Sequence, residues 1–192
     1  MSNERKLVTQ SSFPLRPMQA HEFPAVHRLM QQAFPLQEYR SFSDAEALLS
    51  KNEYEILVYA EEDEIIGFIA HWLLDGFRFV EHFAVRQSAR QGGIGSGIMR
   101  AYLAQSDVPA VLEVEATGSE LAQRRIGFYQ RLGFALSTIG YMQPCLQGAV
   151  SDIPLLLMHA PQDISAARLL RAQANIFHAV YQQEPPLEVP LA

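Results

Sequence analysis

Arg90-Gln-Gly-Gly-Ile-Gly-Ser-Gly97 is the stretch that decides the fold of this 192-residue chain. It follows a strand-like run, Phe77–Val85, and opens a segment with helical composition at residues 94–105. Glycines at a strand-to-helix turn leave backbone N–H groups uncovered, and the helix dipole attracts an anion to the same place. The pattern favours a phosphate-binding turn, although a glycine turn alone also fits a plain tight connection.

Upstream of this turn, the sequence predicts antiparallel hairpins. Strand-like runs at residues 54–61 and 64–75 flank a polar turn, and Asp75-Gly76 is a second turn that leads into Phe77–Val85. Before them, residues 13–17 are predicted to form an edge strand, since the prolines there cannot lie inside a sheet.

Two helices are predicted between the edge strand and the first hairpin. Residues 21–34 have apolar side chains at helical spacing. A second, shorter helix would be capped by Ser43 or Asp44 and would turn Ala45 inward.

Downstream of the turn, strands and helices alternate. We predict strands at residues 108–115, 135–140 and 154–159, a helix at residues 119–132 capped by Ser119, and a long amphipathic helix at residues 164–184. The whole order describes an α/β fold with a mixed sheet, in which antiparallel hairpins come first and a βαβ crossover follows.

Composition limits the function. The formal net charge is −6, so no excess of basic residues exists to neutralise nucleic acid phosphates. Cys145 is the single cysteine, which excludes an intrachain disulfide, and the six histidines show no metal-ligand spacing. No apolar run approaches the roughly 20 residues of a membrane helix. We therefore expect a cytoplasmic protein without metal that binds neither nucleic acid nor membranes.

A second motif, Arg125-Ile-Gly-Phe-Tyr-Gln-Arg-Leu-Gly-Phe134, ends the helix after the next strand. The glycine turn followed by this Phe-Tyr…Gly-Phe motif resembles the GNAT superfamily of N-acetyltransferases. The similarity extends to the strands at residues 80–85 and 112–115, and in element order it covers residues 13–160. It implies a mostly antiparallel, twisted sheet flanked by helices, and an enzyme that moves an acetyl group from acetyl-CoA to a primary amine.

The resemblance also implies where acetyl-CoA binds. Pantetheine would lie in a V between the strand ending at Val85 and the strand at residues 111–115, while backbone N–H groups of residues 91–96 hold the pyrophosphate. Charge from residues 86–90 would lie near the 3′-phosphate. Ala122 and Arg125 depart from the asparagine and alanine that are common in the family, so the usual asparagine contact is absent. The implied cofactor-binding residues are Phe83, Ala84, Val85, Arg90, Gln91, Gly92, Gly93, Ile94, Gly95 and Ser96.

Two residues are candidates for proton transfer. Glu81 is an acid inside an apolar strand that leads to the glycine turn, which suits a general base, although a strand carboxylate is equally often ion-paired. His82 is the second choice, because strand parity lets only one of the two face the cleft. The resemblance makes Tyr129 the general acid for the departing thiolate, against the alternative of a packed aromatic. The amide near Phe83 is a candidate for stabilising the oxyanion.

Glu113 and Glu115 lie on one face of a strand, and we expect one to form a salt bridge with an arginine and the other to end the strand. Cys145 has no recognisable histidine partner and is expected to be inert. Trp72, Phe77 and Phe79 line an acceptor pocket or, by default, belong to the core.

Several alternatives remain open at the level of sequence. The chain is an enzyme, or a non-catalytic module that binds acyl-CoA, or, less favoured, a Rossmann-type protein with Glu115 as the ribose ligand. The acceptor is a small molecule or a protein amine. Residues 161–192 form a C-terminal helix and Pro-rich tail that pack on the domain at residues 1–160 or on a second copy, giving a homodimer.

Overall fold

The computed structural model describes residues 13–90, 92–116, 118–144, 146 and 153–186. Seven strands of these residues form one sheet in the order β1-β2-β3-β4-β5-β7-β6. The strands are β1 (Arg16–Pro17), β2 (Tyr54–Glu61), β3 (Glu64–Leu74), β4 (Phe77–Val85), β5 (Ala110–Glu115), β6 (Ala135–Met142) and β7 (Pro154–Ala160). The helices are α1 (Phe23–Ala33), α2 (Phe42–Leu48), α3 (Ile94–Ala104), α4 (Glu120–Gln130) and α5 (Ala166–Ile176).

The predicted fold class is confirmed. Apart from β4 and β5, which are parallel around the α3 crossover, neighbouring strands of the sheet pair antiparallel. The β2–β3 turn places Glu62 and Asp63 at φ of 48° and 67°, as a two-residue hairpin turn requires, and Gly76 closes the β3–β4 turn at φ 78°. A Rossmann-type sheet is mostly parallel, so this topology excludes that alternative.

Helices cover both faces of the sheet. One core packs α1, α2 and α5 against the sheet, and Trp72, Phe77 and Phe79 are buried in it. The other core packs α3 and α4 on the opposite face. The three aromatic residues therefore lie in the core, which was the default prediction for aromatic residues in central strands.

Capping explains where most helices begin. Ser119 accepts the Ala122 N–H at 3.1 Å, which confirms its predicted role at α4. The predicted cap of α2, Ser43 or Asp44, was wrong. Its cap is Ser41, which accepts the Asp44 N–H at 3.2 Å, so Asp44 lies inside the first turn.

Strands β4 and β5 separate along their length. They pair only where Arg78–Val80 faces Ala110–Leu112. Beyond this point the two strands share no register, although β4 continues to Val85 and β5 to Glu115. The V-shaped opening that the family resemblance implies is therefore present.

A β-bulge interrupts β4 at the base of this opening. Val80 faces His71 and His82 faces Ala70 on β3, so Glu81 is the extra residue of the bulge. The extra residue breaks the strict alternation of faces. The prediction that only one of Glu81 and His82 can face the cleft is wrong. Both residues line it, and both side chains contact the segment between α1 and α2.

The C-terminal helix packs on the sheet of its own chain. Helix α5 begins after Ser165, and a π-helical turn, Phe177–Tyr181, follows it. Ile176, Phe177 and Val180 are buried in the same core as α1 and α2. The chain leaves this turn at Gln182, which has a left-handed φ of 55°.

Candidate active site

A cleft of about 820 Å³ occupies the opening between β4 and β5. Its walls are the end of β4, the end of β5, the start of α3 and one side of α4, and residues between α1 and α2 complete it. Of the twelve predicted site residues, nine line the cleft: Glu81, Phe83, Ala84, Val85, Arg90, Gly93, Gly95, Ser96 and Tyr129. Gly92 and Ile94 lie beside them in the chain, and Gln91 lies outside the described residues.

The glycine turn opens onto this cleft. Gly92 and Gly93 have φ of 84° and 79°, a left-handed conformation that suits glycine. A Cβ added at either residue would meet no protein atom within 4 Å, so both face open space. Gly93 starts α3 without a side-chain cap, and the N–H groups of the first helical turn have no partner within the helix. The geometry suits an anion.

The arginines near the glycine turn already have partners. Arg86 pairs with Glu64 at 2.7 Å on the surface. Arg90 donates from Nε to the Val85 carbonyl at 3.1 Å, which braces the turn against the end of β4. Arg90 also lines the cleft, whereas Arg86 is held towards β3.

Glu81 is enclosed by donors. Its carboxylate forms an ion pair with Arg40 and accepts the Trp72 Nε1–H at 2.8 Å, and its side chain is only 4% exposed. Burial raises the pKa of Glu81, but the charges of Arg40 and His82 and the two hydrogen bonds outweigh it and lower the pKa below its ordinary value. Its role as a base stays a prediction, and these contacts weigh against it. The ion-paired alternative is the one that the geometry favours.

The His82 side chain contacts two residues of the segment between α1 and α2. One ring nitrogen, Nε2, lies 2.7 Å from the Glu38 carbonyl, and the ring packs edge-on against Phe34 at 4.9 Å. Burial lowers the pKa of His82 below its ordinary value, although the neighbouring Glu81 opposes this.

Glu113 is the functional candidate that sequence reasoning missed. It lines the cleft from β5, and its two carboxylate oxygens each accept one phenol: Oε1 from Tyr141, and Oε2 from Tyr181 at 2.7 Å. Burial raises the pKa of Glu113 to about 7, and the charge of Glu81 adds to this, whereas the two phenols lower it. The expectation that Glu113 would merely pair or end the strand was wrong.

The expected salt bridge belongs to Glu115, which ends β5. Arg125 on α4 donates to its carboxylate at 3.0 Å. Arg125 therefore has a partner on the wall of the cleft, next to the half-buried Glu38.

Tyr129 lines the cleft opposite Glu113's strand, and its ring packs edge-on against Phe128 and Phe134 at 5.1 and 5.5 Å. No described residue forms a hydrogen bond with its hydroxyl. Burial raises the pKa of Tyr129 to about 12, although the charge of Arg125 opposes this. The phenol stays protonated over the physiological range, so it remains a donor.

Other kinds of site leave no trace in the part of the chain that the structure describes. Within it, no three histidine, cysteine or carboxylate side chains cluster as a metal site. None of its helices is both long and apolar enough to cross a membrane. Cys145 lies outside the described residues.

Comparisons with known proteins agree with this geometry. Residues 52–136 match the model of the acetyltransferase (GNAT) domain. A structure assigned to the GNAT family of acetyltransferases from Bacteroides thetaiotaomicron has a TM-score of 0.79 at 29% identity, covering 88% of this chain and 97% of that one. No curated protein matches this chain.

More distant structures share the fold. The ribosomal-protein-S18-alanine N-acetyltransferase of Escherichia coli has a TM-score of 0.59 at 18% identity, covering 80% of this chain and 96% of its own. An aminoglycoside 6′-N-acetyltransferase in complex with coenzyme A has a TM-score of 0.58 at 15% identity, covering 76% and 95%.

Proposed function

We propose that this chain, which belongs to the GNAT family of acetyltransferases, transfers the acetyl group of acetyl-CoA to a primary amine by direct attack in a ternary complex. The observation that carries the proposal is the cleft between β4 and β5. It joins an uncapped, glycine-rich helix start to a buried carboxylate of raised proton affinity and a protonated phenol.

The residues present fit acetyl-CoA. The open space at Gly92 and Gly93 and the N–H groups of Ile94, Gly95 and Ser96 suit the pyrophosphate. Beyond Val80 the edge of β4 that faces β5 is unpaired, so its backbone at Phe83 and Val85 is available to pantetheine. When bound, the thioester supplies the electrophilic carbonyl carbon.

The bulge of β4 gives a place for the oxyanion. The side chain of Glu81 is buried while the residue as a whole is half-buried, so the exposed part is its backbone, which lines the cleft. Backbone N–H groups between Glu81 and Phe83 are therefore the donors that we assign to the negative charge on the carbonyl oxygen.

We assign the base to Glu113. A primary amine of pKa about 10.4 reaches the site as an ammonium, and it must lose a proton to become nucleophilic. A carboxylate of pKa about 7 takes that proton better than one of ordinary pKa near 4.3. Glu81 serves this role poorly, because its charge is already neutralised by Arg40.

The proton balance then closes between the cleft and solvent. The ammonium first loses one proton through Glu113 to solvent. The amine nitrogen then bonds to the carbonyl carbon and loses its second proton to Glu113, the carbon–sulfur bond breaks, and the sulfur takes a proton from Tyr129. The proton held by Glu113 returns through solvent to Tyr129, so one proton is released in each turnover. With a phenol pKa of about 12 against about 8.5 for an ordinary thiol, complete transfer is uphill. The phenol therefore helps mainly by donating to the sulfur as its charge grows.

Tyr129→Phe should lower kcat by about 10²-fold, the low end of general acid catalysis. The ring contacts with Phe128 and Phe134 survive, so CoA affinity and stability should hold. Tyr102→Phe is the matched control, because Tyr102 is a buried tyrosine away from the cleft whose hydroxyl also has no described partner. Steady-state rates from pH 6 to 10 provide the measurement. Unchanged kcat in Tyr129→Phe would return this residue to a packing role.

The cleft carries charges of both signs. Glu38, Glu81, Glu113 and Glu115 line it together with Arg90, Arg124, Arg125 and Arg131, so its net charge selects no class of amine. A small molecule and a protein amine both remain candidates. The cytoplasmic location and the homodimer stay predictions, which cell fractionation and light scattering test.

A broad amine panel with acetyl-CoA tests the proposed function. Release of CoA thiol, together with the mass of an N-acetyl product, is the expected result for at least one amine class. Binding of CoA without turnover of any amine would instead support the non-catalytic module. Absence of CoA binding would overturn both.

A further inference from the structure

We infer that Tyr181 is a positioning residue, carried into the active site by the C-terminal π-helical turn, which together with Tyr141 orients Glu113 and stabilises its charged form. The inference rests on the proposed role of Glu113 as the base. It assigns a catalytic purpose to a C-terminal element that lies outside the matched family domain at residues 52–136.

The two phenols hold the carboxylate from separate elements. Tyr141 belongs to β6 and donates to Oε1, whereas Tyr181 follows α5 and donates to Oε2 at 2.7 Å. With one donor on each oxygen, the carboxylate cannot rotate without losing a bond. Each oxygen keeps a second lone pair, which is available to a proton from the amine.

The π-helical turn is itself anchored at the site. Its Val180 carbonyl accepts a bond of 2.8 Å from Arg40, whose other guanidinium nitrogen pairs with Glu81 on the bulge of β4. The Phe177 ring packs against Tyr141 at 5.0 Å and against Tyr181 at 5.6 Å. π-Helical turns are rare in proteins, and those that occur are often found at functional sites. Here the turn contacts Glu113 through Tyr181, the β4 bulge through Arg40, and β6 through the ring of Phe177.

The charged groups around Glu113 come from several elements. On β4, Glu81 opposes ionisation of Glu113, and His82 lies beside Glu81. Arg40, between α1 and α2, is ion-paired with Glu81.

The remaining neighbours are neutral or already paired. The β7 residue opposite Glu113 is the apolar Leu157. Glu115, further along β5, is paired with Arg125. Tyr141 and Tyr181 are thus the groups that favour the charged form by direct hydrogen bonds.

Tyr181→Phe removes the bond to Oε2 and keeps the ring. A charge-assisted hydrogen bond of ordinary strength is equivalent to about one to two pKa units. Since the bond favours the carboxylate, its loss should raise the pKa of Glu113 and move the acidic limb of the kcat profile to higher pH by about one unit. The rate should fall about tenfold at pH 6 and less than about twofold at pH 9.

Tyr141→Phe should move the limb in the same direction. The matched control is Tyr59→Phe, which removes a phenol bonded to Glu61 at 2.5 Å on β2, away from the cleft. It should leave the profile unchanged. An equal loss of rate at every pH in Tyr181→Phe, or an unmoved limb, would overturn the inference and leave Tyr181 a structural role.

A titration that needs no turnover separates this inference from the proposed function. Carboxyl-carbon NMR of ¹³C-glutamate-labelled protein, with Glu113→Gln to assign the signal, reports the pKa of Glu113 directly. A higher pKa in Tyr181→Phe with an active wild type is the expected outcome. The same shift in a protein that acetylates no amine would contradict the role of Glu113 as the base, but it would still support the stabilisation of its charged form by Tyr181. No shift would sink the inference whether or not the enzyme is active.

Discussion

Glu113→Gln should lower kcat by about 10²- to 10⁴-fold at pH 8, the range that a positioned general base supplies. Glutamine keeps the shape and an oxygen acceptor for one of the two phenols, but it cannot take a proton from the amine. The acidic limb near pH 7 should disappear, and the rate should instead follow the unprotonated fraction of the amine. An acceptor of pKa near 10 titrates well above this limb, so the two are separable.

Glu81→Gln is the comparison that decides between the two acids. It leaves Arg40 without its buried partner, which typically costs about 3–5 kcal/mol, so its thermal midpoint should fall. Its acidic limb should remain, because Glu113 is intact. The opposite pattern, with the limb lost in Glu81→Gln and kept in Glu113→Gln, would return the role of base to Glu81.

Gly93→Val should weaken CoA binding by at least about 100-fold, a loss of about 2.7 kcal/mol. Valine disfavours the left-handed φ of 79°, and its side chain enters open space where the pyrophosphate is expected. No protein atom lies within 4 Å of the added Cβ, so the substitution acts on the turn and the ligand more than on packing. Calorimetry with CoA provides the measurement.

Gly76→Val is a control matched in backbone strain. Gly76 has φ of 78° in the β3–β4 turn, away from the cleft, so it should lose stability to a similar degree and keep CoA affinity. If Gly93→Val does not fold, Gly95→Ala replaces it. The ordinary contact of its Cβ with Val85 at 3.6 Å avoids strain, and about tenfold weaker binding is expected from one methyl at the phosphate turn. Wild-type CoA affinity in both glycine variants would contradict the proposed pyrophosphate site.

The fold was predictable because its signals are local. The strand runs, the turn at Gly76, the Ser119 cap and the glycine turn each depend on residues close in sequence. The prediction of Ser43 or Asp44 as the α2 cap was wrong, and the cap is Ser41. Several neighbouring residues have side chains suited to capping, so the sequence did not distinguish among them.

The site was predicted less well because its contacts are distant in sequence. The enclosure of Glu81 depends on Arg40, and the proton affinity of Glu113 depends on Tyr141 and Tyr181. No spacing rule connects such residues. The bulge had the same effect on His82, since one extra residue in β4 reverses a parity that a strict period of two assigns to the other face.

The position of the π-helical turn near the C-terminal end of the described residues has a consequence for synthesis. The glycine turn and both strands of the cleft are made before Tyr181, which itself lines the cleft. Ribosomes add about 5 to 20 residues per second, and domains fold in part as they emerge. Because α5 and the π-helical turn also fill the core on one face of the sheet, the complete cleft is expected only after the last helix has left the ribosome and docked, which delays acetylation to the end of synthesis.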